Sequence, residues 1–432
     1  MSSVLVRSLL RSNSIKNEFK LQLGGVLSIC SNNTDPTTTM QDVKAALLKH
    51  MGLERGYRPL QPNRSHLLDM LPKNQDELPP RTMQDSFLSA VIPLSSDIVL
   101  QEKYVTFLGH VRLGRLMEDM DMFAVWVAHQ HIVNPNQVPG EPTPYVLVTV
   151  LVDQIDFTDL VPKHDADIRL SGHVSWVGRS SIEVTVWLEQ KVFGKWQKLT
   201  RAVFLMAARN STNTAAAVVN RLEPGSEREK EIFLGGEGRK KRRIQSQSTS
   251  LLKQVPDDAE QQVIHDIFVS TVDSNDPNFH KRILPSHSVW MDDCTLSNII
   301  FSHPENRNLH NKVFGGFLMR QALELSWTAG YMYSKFRPKL CHISDIGFHK
   351  PVDVGSLLRM HAYVTYSEFN YAQILVHAEV IDHRGMHSTT NNFHYTYQMP
   401  EEVPKVIPQS YHEAMMYLDG RRHFQRVMGL VK

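Results

Sequence analysis

The feature that most limits what this chain can fold into is that its second half repeats its first. A helical stretch at 113 to about 132 is followed by four runs rich in Val, Ile, Thr and Trp at 145–157, 166–177, 181–192 and 197–208. A second helical stretch at 310–332 is followed by four more, at 340–348, 357–366, 372–381 and 387–397. β-Branched and aromatic residues in partial alternation suit a pleated, half-buried surface. Single positions correspond too: Ile155-Asp156-Phe157 with Ile346-Gly347-Phe348, His173 with His361, and Val186-Trp187-Leu188-Glu189 with Val376-His377-Ala378-Glu379. Two copies of one unit are therefore expected, over 84–209 and 289–401. Each is a helix followed by an antiparallel meander, an α+β arrangement in which the sheet must bury the helix.

The remaining segments are read from composition. With 432 residues, 41% of them hydrophobic, the chain has material for two cores plus extensions. Residues 1–27 carry Arg7, Arg11, Lys16 and Lys20, many serines and Glu18 as the sole acid, with apolar residues at helical spacing. That is the composition of a mitochondrial presequence. Residues 28–83 form an irregular lead-in, interrupted by Pro59, Pro62, Pro72, Pro79 and Pro80. Between the copies, 210–288 holds Gly235-Gly236-Glu237-Gly238, then Arg239-Lys240-Lys241-Arg242-Arg243, then a Ser/Gln tract. This reads as a flexible, solvated linker with a short helix at 258–268. The tail at 402–432 has no specific assignment. A net charge of +2 does not call for nucleic acid or a membrane surface as partner. No apolar run reaches the roughly 20 residues of a membrane-spanning helix. Cys30, Cys294 and Cys341 lie too far apart to suggest a disulfide framework or a thiolate zinc site, which fits a reducing compartment.

The sharpest local feature opens the second helical stretch: Asn308-Leu309-His310-Asn311-Lys312-Val313-Phe314-Gly315-Gly316. A glycine pair at a helix start permits close approach of another backbone or a ligand, and leaves N–H groups at the positive end of the dipole. Such an end can hold an oxyanion or polarise a carbonyl. In this arrangement the chain resembles the hot-dog thioesterases, whose central helix follows an Asn and a Gly-Gly turn and carries an acid about two turns further in. The resemblance covers both copies and is closest to the tandem, double hot-dog acyl-CoA thioesterases of the mitochondrial 9/10 type. It implies a site whose carboxylate and carboxamide come from different units, and no cofactor beyond the acyl-CoA substrate. It also implies a homo-oligomer, a trimer of such pairs, in the mitochondrial matrix.

Setting Val111 against Val313 places Gly114 opposite Gly316. Seven residues beyond these glycines stand Asp121 and Leu323; eight before them stand Thr106 and Asn308. The first copy thus keeps the acid without the amide, and the second the amide without the acid. One complete site can be assembled, from Asp121 and Asn308 with Gly315 and Gly316 as carbonyl or oxyanion binders. Met117, Ala124 and Val125 flank Asp121 at helical spacing, so partial desolvation is expected to raise its pKa and suit it as a general base. Glu118 shares its face and is its competitor; Asp119 is expected in an exposed ion pair with Arg115. Glu324, one place beyond Leu323, marks a second, weaker site, while Leu113-Gly114 lacks the glycine pair.

His129, His131, His303 and His310 show no recognised metal-ligand spacing, so no metal is expected, and surface or strand-pairing roles are assigned to them. No Gly-x-Ser-x-Gly elbow occurs, which removes the serine-hydrolase route. The expected reaction is attack on the thioester carbonyl by water deprotonated by Asp121, or by the Asp121 carboxylate itself through an anhydride. Two other readings stand beside it. A hot-dog enoyl-CoA hydratase or dehydratase would need a histidine such as His310 against Asp121, and a non-catalytic acyl-CoA sensor would bind without releasing CoA-SH.

Overall fold

A computed structural model describes residues 38–52, 63–157, 161–248, 250–273, 275, 281–307 and 312–430. The presequence expected at 1–27, together with Asn308 and His310, lies outside the described residues. The lead-in is not wholly irregular. Thr39 and Asp42 form a capping box, satisfying orphan amides that start α1 (Met40–His50). The first repeat then runs through β1 (Leu88–Ile92), α2 (Ile98–Tyr104), α3 (Leu113–His131), β2 (Tyr145–Val152), β3 (Ile155–Asp156), β4 (Ile168–Val177), β5 (Ser181–Val192) and β6 (Lys195–Asn210). After α4 (Glu227–Ser248), α5 (Asp258–Ser270) and β7 (Ser288–Trp290) comes the second repeat. It comprises β8 (Thr295–Phe301), α6 (Gly315–Ser334), β9 (Lys339–Ile343), β10 (Ile346–Phe348), β11 (Leu357–Glu368), β12 (Tyr371–Ile381) and β13 (His387–Gln398). β14 (Lys405–Ile407) and α7 (Tyr411–Val427) end the described chain.

Twelve of the strands make one sheet in which β1-β4-β5-β6-β2 meets β10-β13-β12-β11-β8, and β7 pairs with β14 in a separate parallel ladder. The seam joins the repeats twice, Val152 opposite Ile346 on β2 and β10, and Ile155 opposite Ile343 on β3 and β9. The two pairings exchange roles when the repeats are exchanged, so an approximate twofold relates the halves. Each half is an α+β hot-dog unit, an antiparallel sheet wrapped around its central helix. Phe123, Ala124, Val127 and Ala128 of α3 are fully buried, as are Val184, Val186 and Met206 beneath them. In the second half Met319 and Ala322 of α6 take this place, over Met360, Val376 and Phe393.

The register also sharpens the repeat. Bulges leave Ser175 unpaired between β4 and β5, and Thr365 between β11 and β12. His173 therefore corresponds to Tyr363, and the expected match with His361 is two residues out of register. The Glu189 and Glu379 match holds, because both sit at a bulge and both pair with the arginine directly opposite on the neighbouring strand, Arg169 and Arg359.

The glycine-rich, basic stretch expected to be a solvated linker is instead helix α4, laid on β4. Gly236 lies against Trp176, where a Cβ would come within 2.5 Å of the side chain. Arg239 and Arg243 reach the carboxylates of buried Glu183 and partly buried Asp153. Two members of the basic run are thus counter-ions for an acidic pair that no local pattern reveals. The tail likewise holds α7, packed on β11 with Gly420 against Thr365 and Tyr366. Each half of the sheet thus carries one outer helix that closes on it through a glycine.

Candidate active site

The two core helices cross near the twofold, and the glycines at their starts are what lets them touch. A Cβ on Gly316 would stand 2.8 Å from Glu118 Cα and 3.2 Å from its carbonyl oxygen. The mirrored position, Gly114, lies against Arg320, its Cβ 3.0 Å from Cγ. Because α3 presents Asp121 one turn beyond Glu118, the same crossing carries Asp121 to the N-terminus of α6. The Gly316 N–H donates to Asp121 Oδ2 at 2.8 Å. Thr149 on β2 donates its hydroxyl to Oδ1 at 2.7 Å. The Asp121 side chain is thus held by both repeats at once.

Asp121 is buried, with 2% relative exposure. Burial penalises its charged form and pushes the carboxyl up to about 6, with the Glu118 charge adding to the rise; the Thr149 and Gly316 hydrogen bonds oppose it. Such a group is ionised at neutral pH and still a usable proton acceptor. The Gly316 amide, expected to face a substrate carbonyl, is taken up by this carboxylate. Gly315 lies beside it, its Cβ position 3.4 Å from Asp121 Oδ2 and 3.0 Å from the Phe348 ring.

The neighbouring acids sort differently from the sequence expectation. Asp119 is buried, accepts from the Tyr104 hydroxyl and pairs with Lys44 at 2.9 Å, so it is not the exposed partner of Arg115. Arg115 pairs instead with Glu118 at 2.9 Å, and Arg320 reaches the same oxygen at 3.0 Å. One carboxylate thus faces two arginines, because the helix crossing brings in a second one that i,i+4 spacing cannot foresee. Glu324 pairs with Arg112 across the twofold. Thr106 uses its hydroxyl to accept the His110 N–H within its own loop. Leu323 is buried.

Thr149 escaped the sequence reading. Its signal is local: it is the one aliphatic hydroxyl in the run Tyr145-Val-Leu-Val-Thr-Val-Leu-Val152. Of the histidines assigned surface or strand-pairing roles, His303 is exposed, while the two at the end of α3 are not. His129 and His131 are buried at the end of α3, held to about 3 and about 4 by burial, with His131 Nε2 against the Asn220 carbonyl. Among the described residues, His394, Asp419 and His423 come together in a combination used for metals. Their two rings are stacked 4.0 Å apart at 20°, so one ring would have to turn before both could face a shared ion.

No family model matches the chain. Human mitochondrial acyl-coenzyme A thioesterase 9 is 43% identical over 368 residues, 85% of this chain and 83% of its own length. Mouse mitochondrial acyl-coenzyme A thioesterase 10 is 43% identical over 366 residues, covering 84% and 82%. The chloroplastic acyl-coenzyme A thioesterase 2 of Humulus lupulus is 29% identical over 364 residues, covering 80% and 82%. Among solved structures, an acyl-ACP thioesterase from Bacteroides thetaiotaomicron overlays with a TM-score of 0.42 at 12% identity, covering 74% of this chain and 100% of its own. The extent and level of the match to the human and mouse proteins identify this chain as a member of the mitochondrial acyl-CoA thioesterase 9/10 family.

Proposed function

We propose that Asp121 is the catalytic carboxylate of this acyl-CoA thioesterase, working in a site that both repeats build. The observation that carries the proposal is the pair of hydrogen bonds that fix a buried Asp121 from β2 of its own repeat and from the first turn of α6 in the other. Asp121 takes a proton from water, whose oxygen attacks the thioester carbonyl. The C–S bond then breaks, and Asp121 returns the proton to the departing CoA thiolate, giving free fatty acid and CoA-SH. The carbonyl oxygen is polarised by the Asn308 carboxamide and by the Gly315 N–H, which has no intrahelical acceptor because of its place in the first turn. Gly316 orients the carboxylate. Water, the carboxylate and these donors complete the reaction, so it draws on no cofactor or metal.

The hydratase reading needs a histidine on Asp121. Thr149, Gly316 and Glu118 are the groups that act on Asp121 among the described residues. The deciding experiment is steady-state hydrolysis across acyl-CoA chain lengths, followed by CoA-SH release with a thiol reagent, for the wild type, Asp121→Asn and Asn308→Ala. Both variants should lose most turnover while staying folded, and full activity in both would reject the assignment. A single turnover in heavy-oxygen water tests the anhydride route: label entering Asp121 indicates an anhydride opened at the Asp121 carbonyl, and label in the fatty acid indicates attack by water at the acyl carbon, on the thioester or on the anhydride.

The enzyme is mitochondrial, in line with its relatives. Within the organelle the reading places it in the matrix, as a homo-oligomer of three tandem units, which fractionation and sedimentation test. No described helix is long and apolar enough to cross a membrane.

A further inference from the structure

Two carboxylates flank one glycine at the start of α6. Glu118 contributes its backbone to the contact with Gly316, and the Cβ position of Gly316 is 3.3 Å from Asp121 Cβ. Both acids stand on one face of α3, a turn apart, and both are largely shielded from water. Only one of them receives the Gly316 N–H. The difference lies in what holds the other. Arg115 from the same helix and Arg320 from the opposite repeat converge on a single oxygen of Glu118. Arg320 is itself fixed, its aliphatic stem against Gly114 and its guanidinium 5.2 Å from the Phe317 ring centroid.

We propose that Arg320 is a positioning residue. By pairing with Glu118 across the helix crossing it holds that carboxylate off the start of α6, so that Asp121 alone occupies it. The inference rests on the reading of Asp121 as the catalytic carboxylate. The groups facing Asp121 are Glu118 on α3, the Gly316 N–H on α6 and the Thr149 hydroxyl on β2. Arg115 and Arg320 act on it through Glu118, and Asp119 is turned away toward Tyr104 of α2 and Lys44 of α1. Removing Arg320 leaves Glu118 with one counter-ion, so its charge weighs more on Asp121 and disfavours a second negative charge beside it. Removing the Glu118 charge does the opposite.

The test is the pH dependence of kcat/KM for acyl-CoA hydrolysis by the full chain, from about pH 5 to 9, where the acid limb reports the proton on the essential base. Arg320→Gln should move that limb up, and Glu118→Gln should move it down, each by about half a unit to one unit. The double variant should follow Glu118→Gln, since Arg320 then has no charge to hold, and Arg320→Lys should return most of the way to wild type. A merely structural Arg320 would lower kcat without moving the limb. The inference is overturned if folded Arg320→Gln keeps the wild-type limb, or if the double variant behaves as Arg320→Gln alone. Should Arg320→Gln not fold, Arg320→Met, which keeps the aliphatic stem against Gly114 and removes the charge, takes its place and decides in the same way. Asp121→Asn, measured alongside, separates the two claims. If it retains turnover, the catalytic reading fails and this inference with it. If it is inactive while the limb stays fixed in the other variants, only the role of Arg320 fails.

Discussion

The approximate twofold gives this molecule two equivalent places at the starts of its core helices, and among the described residues a buried carboxylate and hydroxyl pair stands at one of them. At one end Asp121 and Thr149 meet the start of α6. At the other, Leu323 and Gly114 occupy the matching helix positions. The β-bulges, which skip Val150 in one repeat and Cys341 in the other, set Leu340 opposite Thr149. Leu323 and Leu340 are both buried. Backbone, crossing and glycines are thus shared, while the polar pair on one side is an apolar pair on the other. Two buried leucines add hydrophobic contact, whereas a buried carboxylate opposes folding unless it is well hydrogen-bonded. The comparison teaches that the fold needs the crossing, and that Asp121 is present at a cost to stability which leucine avoids.

The strongest way to break the comparison is to exchange chemistry at the two ends. Asp121→Asn should lower kcat by about 10²–10⁴-fold, the range of a lost general base. Leu323→Ala should leave kcat within a few fold, although the cavity would lower the melting temperature. Equal losses of activity would mean that both ends work. The stability readout has the opposite sign at Asp121. Its folded pKa of about 6 lies above the unfolded value near 4, so the native state holds the extra proton in that window. Its contribution to stability is therefore greatest at low pH and falls as pH rises through the window. Asparagine can accept from Gly316 and donate to Thr149 without charge, so Asp121→Asn should be more stable than wild type at pH 7, by about 1–3 kcal/mol. Chemical denaturation at pH 7 checks this.

A finer probe is the glycine at each helix start. A methyl at Gly316 meets backbone atoms of Glu118 at 2.8 and 3.2 Å, so the helices must part. A methyl at Gly114 first meets the flexible Cγ of Arg320. Gly316→Ala should therefore destabilise by about 1–3 kcal/mol and cut kcat severalfold by drawing the amide off Asp121. Gly114→Ala should cost less than about 1 kcal/mol and lower kcat by less than Gly316→Ala does, because it displaces the Arg320 stem and not the Asp121 amide donor. Thermal melts and initial rates on the two variants rank them.

How far the sequence alone carried this picture follows from the range of each signal. The eight strand runs in the two repeats are local, and all were legible to within a few residues. The edge strands β1 and β8 were not, because neither holds an apolar run longer than three residues. Helix α4 was missed because its glycines and basic run resemble a linker; its partners, Trp176, Glu183 and Asp153, come from distant segments. Asp121 was singled out by comparing repeats, which substitutes for long-range knowledge. The same comparison at strand level would have isolated Thr149, but needed the bulge register. The pairing of Arg320 with Glu118 and the burial of Asp119 are consequences of one helix crossing, and no spacing within either helix encodes them.

The smallest effect is expected at Thr149, and it discriminates most finely between the two ends. Its hydroxyl bond to Oδ1 favours the ionised carboxylate and so opposes the rise caused by burial. Thr149→Val keeps the shape of the side chain and deletes that donor. Asp121 should then hold its proton to higher pH, moving the acid limb of kcat/KM upward by about half a unit to one unit. At pH 8, where the carboxylate is ionised in both proteins, the rates should approach one another to within a few fold, because Gly316 still orients the second oxygen. Leu340→Val at the other end removes one buried methylene and should leave the pH profile in place. A loss at Thr149→Val that is as large at pH 8 as at pH 6 would mean that the hydroxyl acts on the reacting water or carbonyl directly. The two ends would then differ by a second catalytic group as well as by a carboxylate.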